Sequence, residues 1–339
     1  MVSILGILGE IVEGRSRVFS IIFVFVVMLI FCGLRNGVGN DYLEYSRNFE
    51  RISRYELSFS DQRFEPIVYC LAFAMRSLDN KTLYLMFVFS AITLFFLFKA
   101  LLKYRIFLEG LFLYIALGFM FMMNDQVRQG MALSVFLYAL RFVESRDLIR
   151  YCLSLCLGAL FHYTIILMLP IFFVTDVKLS RFFTVPTLLI TFIVYKLGVF
   201  YELLFNIIRL LPYYGRVYAS YLESSFIRNE GKGFGILFLF LISLFVVYAF
   251  DNDKYHRIKN TFILGVVIMF MSIGFMPVQR LSLYLFSTII VLLGVYLRDR
   301  RYSLVWGCLL FILGMYYSIT VLFDLDKYGA VPYSMTIFS

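Results

Sequence analysis

The chain has 339 residues, 62% of them hydrophobic and only 16% charged, with a mean hydropathy of +0.86. A soluble core cannot hide that much apolar surface, and unbroken runs such as 236–250 (ILFLFLISLFVVYAF) lack the alternation of a membrane barrel. The composition therefore predicts an all-α polytopic membrane bundle with residues 1–339 as one integral domain, in which the net charge of +9 matters through its distribution between the two faces.

Arg15 and Arg17 precede an apolar run over 18–31. The run has the make-up of a signal peptide's core, and Cys32 invites a lipoprotein cleavage reading, but bulky Phe31 fits that site poorly and many spans follow. It is read as an uncleaved anchor with its basic end inside, which sends residues 33–80 outside as a first outer loop. The stretch 33–50 (GLRNGVGNDYLEYSRNFE) is too polar to stay in lipid, and it offers Arg35, Gly37, Gly39 and Asp41. Tyr42, Tyr45, Phe49 and Ile52 recur at helical spacing, with Glu44, Arg47, Arg51 and Arg54 largely on the other side. Asp41 suits the start of this helix, where a carboxylate meets free backbone N–H groups. A second helix, about 64–78, opens on Phe-Glu-Pro with Pro66 at a first helical position. Both are read as helices lying at the outer interface.

Spans follow at about 81–102, 107–123 and 130–143. Lys99, Lys103 and Arg105 mark the inner side, so 124–130 (NDQVRQG) faces out, and Arg141, Arg146 and Arg150 bring the chain back in. Residues 148–177 make one generous span or two short ones. The basic clusters 178–181 and 254–259 bracket two clear spans, about 182–200 and 233–250, so both share a face and the crossings between Arg150 and Lys178 must be even in number. Two short helices, about 148–160 and 163–177, satisfy this with His162 at the outer turn. Residues 201–232 form a second outer loop carrying Arg209, Tyr213, Tyr214, Arg216, Tyr218 and Tyr221. Spans at about 260–276, 281–297 and 302–320 close the map, with Gln279 and Arg280 outside, Arg298, Arg300 and Arg301 inside, and 324–333 outside. That makes about eleven crossings.

Of the 31 Lys and Arg, this map places 14 outside, and 11 of those are arginine. The usual bias is toward the inside. An arginine-rich outer face fits an anionic ligand, because the guanidinium fork matches phosphate. Cys32, Cys70, Cys152, Cys156 and Cys308 have no metal-like spacing, and with only His162 and His256 the chain lacks a histidine-rich centre. No metal and no cofactor is expected, and no nucleic-acid motif is present. Lys196 falls mid-span on this map.

Arg35, Gly39, Asp41, Tyr42 and Tyr45 form R-x-x-x-G-x-D-Y-x-x-Y, which resembles the first outer-loop signature of the EpsG-type family of Wzy-like polysaccharide polymerases. FEP (64–66), VRQGMA (127–132), LFHYTIILMLP (160–170), QRLSLY (279–284) and VPY (331–333) are similar to later pieces of that family in the same order. Asn40 departs from it, standing where many relatives carry Thr. The resemblance implies a bacterial inner-membrane enzyme with a glycosyltransferase-C-like bundle, active on the periplasmic side, where 33–80 and 201–232 would be periplasmic loops. Its substrates would be oligosaccharides linked to undecaprenyl pyrophosphate, and a chain-length regulator protein is a plausible partner.

In such a reaction an acceptor hydroxyl attacks the anomeric carbon and an anionic diphosphate leaves, so fixed cations stabilise the leaving group and a base takes the proton. Arg35, Arg128, Arg280 and Arg216 are the candidate cations, with Gln129 beside Arg128; the plain alternative is that each anchors its helix at the headgroups. Asp41, Glu65 and His162 are the candidate bases, Asp41 first and His162 close behind. Their structural alternatives are a helix cap, a loop carboxylate and a hydrogen-bonded histidine. Tyr42, Tyr45, Tyr214 and Tyr221 are candidates for stacking on sugar rings, against an aromatic interfacial belt, and Tyr284 is a further candidate for substrate binding. A single-sugar transferase or an O-antigen ligase would share this outward site. A flippase would instead carry polar residues along a path through the bilayer.

Overall fold

The computed structural model describes residues 15–56, 58, 64–199, 203, 206, 234–250, 254–272, 276–299, 312, 314, 316, 329 and 332–336. Most of the second outer loop with Arg216, Tyr214 and Tyr221, and most of the expected span at 302–320, lie outside the described residues. Those described are helical with no strand beyond one isolated bridge, and they divide into two compact units, Met1–Leu169 with Leu293–Ser339, and Pro170–Leu292.

The first unit begins with α1 (Arg15–Gly33), followed by the short helices α2 (Tyr42–Ser53) and α3 (Pro66–Ala74). Helix α2 buries Tyr42, Tyr45, Asn48, Phe49 and Ile52, the face expected from their spacing. Phe49 is wholly enclosed between Tyr45, Phe64 and Phe89, each ring centroid within 6.2 Å of its own. Helix α3 starts at Pro66, whose missing N–H costs nothing at a first helical position.

Helix α4 (Lys81–Lys103) packs against α1 on one side and α7 (Val127–Glu144) on the other, and α7 packs in turn on α8 (Leu148–Ala159). Almost every side chain of α7 is buried, making it the centre of this unit. At its start α4 meets α2 through Lys81 and Glu50, 2.8 Å apart. At its other end the carbonyls of Tyr104 and Arg105 accept from Arg298 at 2.6 and 3.2 Å. The basic residues expected inside, around 103–105 and at 298, thus share one end of the unit.

The single span expected over 107–123 is two helices, α5 (Phe107–Ala116) and α6 (Phe119–Asp125), bent by 66°. Gly118 makes the bend at φ +74°, a left-handed conformation that glycine adopts without a Cβ penalty. Beyond α8, a 3₁₀ helix runs over Tyr163–Met168. Pro170 cannot donate to the carbonyl of Ile166, which accepts from Leu169 at 3.0 Å instead, so the tighter turn prevails. The chain breaks at His162 between two apolar helices, as the two-piece reading of 148–177 expects.

The second unit holds α9 (Ile171–Val174), α10 (Arg181–Lys196), α11 (Phe234–Ala249), α12 (His256–Ser272) and α13 (Met276–Phe286). Phe192 of α10 stacks on Phe240 at 4.4 Å and meets Phe270 edge-on at 5.6 Å, tying α10 to α11 and α12. Asp176 accepts from Arg257 Nε and NH2 at 2.9 and 2.7 Å, and the carbonyls of Val177 and Leu179 accept from Asn260 and Lys259. The segments 178–181 and 254–259, expected on one face, therefore lie together. Lys196, expected within a span, is the last residue of α10 and is exposed beside the turn at Gly198.

Helix α14 (Ile289–Asp299) follows α13 after Ser287 and Thr288, whose hydroxyls donate back to the carbonyls of Tyr284 and Leu285. Among the described residues, Lys81–Lys103 and Val278–Asp299 are long and apolar enough to cross a membrane, and α5 with α6 adds a third if the bent pair is one span. Shorter apolar helices cover Arg17–Gly33, Leu148–Ala159, Tyr163–Val174 and Ile236–Ala249. The chain is a helical membrane protein.

Candidate active site

One cluster within the first unit collects pieces from four separate stretches of sequence. Its centre is Glu65, the residue before α3, which is 3% exposed. Its Oε1 lies 2.7 Å from His162 Nδ1, and its Oε2 lies 2.9 Å from Arg128 NH1. Both oxygens of a buried carboxylate are thereby answered, as burial of a charge requires.

Local backbone structure brings these side chains together. Pro66 fixes the start of α3, and Ile67 donates its N–H to the carbonyl of Leu160 at 3.3 Å, docking that start on the end of α8. Two residues on, His162 takes an extended backbone (φ −159°, ψ 115°) between α8 and the 3₁₀ helix, which turns its ring out of the helical stack. Arg128 sits in the first turn of α7. Its Nε donates to Tyr45 Oη at 3.1 Å and its guanidinium lies over the rings of Phe64 and Tyr45.

Burial pushes the Glu65 carboxyl up, but the hydrogen bond with His162 and the Arg128 guanidinium outweigh it, and the group ends below its ordinary range. An ionised Glu65 has no proton to give, so His162 Nδ1 is the donor of this bond. A neutral imidazole then keeps an unshared pair on Nε2. A carboxylate that fixes the tautomer and leaves the far nitrogen as the acceptor is the arrangement general-base catalysis needs. The His162 side chain is 23% exposed and that of Arg128 28%.

The loop 34–41 lies beside this cluster. Arg35 is turned inward and is 1% exposed. Its NH1 donates to the carbonyl of Cys32 and to Ser90 Oγ (3.2 Å), its NH2 to Met86 Sδ (3.3 Å) and the carbonyl of Asn124 (3.0 Å). It ties the ends of α1 and α6 to the side of α4. Gly39, at φ +110°, lets the backbone run close past Asn124 and Asp125. The next amide, Asn40 N–H, donates to Asp125 Oδ1 at 2.7 Å. Asp41 is half-buried and its carboxylate does not cap α2. It lies close enough to the buried Asp125 for the two carboxylates to repel.

The other expected site residues are placed as follows. Tyr42 and Tyr45 are buried in the face of α2, with Tyr42 Oη 3.5 Å from Asn36 Oδ1, so their rings pack inside the protein. Gln129 is buried in α7. Arg280 is exposed near the start of α13 and Tyr284 is fully enclosed within it, both in the second unit. Two residues beside the site went unassigned in the sequence, Asp125 and Asn124. The acid and amide stand one turn before VRQ (127–129) in an outward-facing segment, a signal that points to them in hindsight. Among the described residues no three His, Cys, Asp or Glu side chains are grouped to hold a metal ion.

The arrangement can hold an oriented base, a carboxylate and a guanidinium around one spot, the parts needed to activate a hydroxyl near an anionic group. No curated protein and no solved structure matches the chain. The EpsG family matches it over residues 18–335, nearly the whole length. The chain belongs to the EpsG family, a family of the Wzy-like polymerase type.

Proposed function

We propose that this protein is a polysaccharide polymerase that transfers a growing glycan from undecaprenyl pyrophosphate to a lipid-linked oligosaccharide on the periplasmic side of the inner membrane. The observation that carries the reading is the Glu65–His162 pair backed by Arg128. His162 Nε2 takes the proton from the acceptor hydroxyl as its oxygen bonds to the anomeric carbon. The bond from that carbon to the diphosphate oxygen breaks, and undecaprenyl pyrophosphate departs with the electron pair. Glu65 holds the imidazole in its tautomer and stabilises the imidazolium that forms.

This reading ranks His162 before Asp41, the reverse of the order favoured from sequence. Asp41 lies beside the buried Asp125, where a carboxylate suits a hydrogen bond to an acceptor hydroxyl. Arg128 is the cation proposed for the leaving diphosphate. Arg35, with its NH1 and NH2 on protein acceptors, is assigned to holding the loop.

The test supplies purified protein with a lipid-linked repeat unit and resolves the products by length. Wild type should give a ladder, and His162→Gln should reduce its rate by about 10²–10⁴-fold, the usual contribution of a positioned base. A product one sugar longer would move the assignment to a single-addition transferase, glycan moved to a lipid A core to a ligase, and translocation with no new bond to a flippase. Any of these outcomes overturns the polymerase.

A further inference from the structure

The loop that carries Arg35, Gly39 and Asp41 has no helix or sheet of its own, and a segment about three hundred residues later supplies what it lacks. Every buried backbone N–H and C=O needs a partner. Here Asn36 N–H donates to the carbonyl of Ser334 at 3.0 Å, Gly39 N–H to that of Gly329 at 2.9 Å, and Thr336 N–H to that of Leu34 at 3.0 Å. Arg35 and Met335 face each other as an isolated antiparallel bridge.

The later segment is itself anchored. The Tyr333 ring stacks on Phe31 with centroids 4.4 Å apart and planes 6° from parallel. Its hydroxyl donates to the carbonyl of Phe31, in the last turn of α1, where helix carbonyls have no partner within the helix. Burial pushes the Tyr333 hydroxyl well above the usual tyrosine range, so it remains a donor. Ser334 Oγ adds a bond to the carbonyl of Asn36.

The loop is therefore gripped from two sides. The Arg35 side chain and Asp125 hold it against α4 and α6, and Gly329, Ser334 and Thr336 pair with its backbone. Gly37 and Gly39 both sit at positive φ, at +70° and +110°, in a stretch whose backbone would otherwise sample many conformations. Ordering such a stretch costs conformational entropy that its few internal bonds do not offset.

We propose that Gly329 and residues 332–336 are a positioning element of the active site, a backbone clasp that holds the loop 34–41 and thereby sets where Asp41 stands. The catalytic part of this inference rests on the transfer reaction proposed above; the clasp itself does not. None of these residues needs to touch substrate. Their effect on transfer passes through the loop.

The experiment compares the full chain with one ending at residue 328, both in lipid nanodiscs. Amide hydrogen exchange is followed over residues 34–41 alongside the product ladder. Loss of the clasp should speed exchange at Asn36 and Gly39 by on the order of tenfold or more, since each loses its acceptor. Transfer should fall in kcat with the KM for the lipid-linked donor little changed, and a peptide of residues 324–339 added in trans should recover part of both. Tyr333→Ala in the full chain gives the same two readouts should the shortened chain fail to insert, and Tyr333→Phe, which keeps the stacked ring, should fall between it and wild type.

Unchanged exchange at Asn36 and Gly39 in both the shortened chain and Tyr333→Ala overturns the clasp. Faster exchange with an unchanged ladder overturns its positioning role. A wild-type protein that makes no ladder removes the polymerase reading and the positioning role with it, while the exchange measurement still decides the clasp.

Discussion

His162 Nδ1 and Glu65 Oε1 lie 2.7 Å apart although 97 residues separate them in the chain. The contact depends on two local breaks in regular structure, one before Pro66 and one at His162, joined by the bond from Ile67 N–H to the Leu160 carbonyl. A helix running unbroken through either position would carry its side chain elsewhere. The apolar helices on both sides thus act as supports for two short irregular stretches.

Glu65→Gln tests whether the carboxylate orients the imidazole or only fills space. The amide has nearly the same shape, so packing around α3 should survive and the protein should insert normally. A neutral amide neither fixes the tautomer as strongly nor stabilises an imidazolium, so the transfer rate should fall by about 10²–10⁴-fold. Glu65→Ala should cost stability as well, by about 1–3 kcal/mol, because it strips a partner from the largely buried Arg128. Ladder rates and melting midpoints measured together separate the two. A Gln variant as active as wild type would remove Glu65 from the mechanism.

The pH dependence follows from the sign of the Glu65 shift. Its folded value is depressed, so its contribution to stability is fully present above the ordinary carboxyl range and is lost as pH falls through the folded value. The wild-type rate should show no acid limb from Glu65 at neutral or mildly acidic pH. Arg128→Gln removes one of the influences that hold the carboxyl down and leaves burial, which acts upward. The acid limb of that variant should move to higher pH, and, with the Glu65 shift reduced, less stability should be lost as pH falls through the carboxyl range than in wild type. Rate profiles and thermal melts between about pH 4 and 8 check both. A limb unmoved in Arg128→Gln would mean that the guanidinium does not set the charge of Glu65.

What could be read from residues alone were the features with a local cause. Tyr42, Tyr45, Phe49 and Ile52 announce the buried face of α2 by spacing, Pro66 marks the start of α3, and the parity of basic clusters points to a break near His162. The bend at Gly118 was not legible, because hydropathy runs on through both halves and one glycine in an apolar stretch is as common in packing as in turns. Nor was the inward turn of Arg35. A cation at the end of an apolar helix looks the same whether it reaches for headgroups or for buried carbonyls, and only the approach of Ser90, Met86 and Asn124 decides it. The pairing of 332–336 with 34–36 is a contact between two short irregular segments, which leaves no periodic trace.

Arg35→Lys distinguishes a buried strut from a ligand contact. The guanidinium reaches acceptors on three separate segments at once, and an ammonium on a single stem cannot satisfy the same set. Asn124 and Ser90 would lose a donor inside the protein, so the variant should lose roughly 2–4 kcal/mol of stability and show poor yield. Had Arg35 met the diphosphate instead, lysine would retain the charge, leave the melting midpoint unmoved and raise the KM for the donor. A stable Arg35→Lys protein with a raised KM would therefore restore the ligand role.

Asp125 offers the last and sharpest comparison. Its buried carboxylate accepts the Asn40 amide at 2.7 Å, immediately before Asp41, and bears on Asp41 as a neighbouring like charge. Asp125→Asn keeps an acceptor oxygen in place and removes the charge. Asp125→Ala removes both and leaves an N–H without its partner, at a cost of about 1–3 kcal/mol. If Asp125 serves to position the loop, Asn should hold the melting midpoint and most of the transfer rate, whereas Ala should lower both and speed amide exchange at Asn40. If both variants were equally inactive and Asp125→Asn still melted like wild type, the carboxylate itself would be taking part in proton transfer, and the choice of base would pass from His162 to the acids beside it.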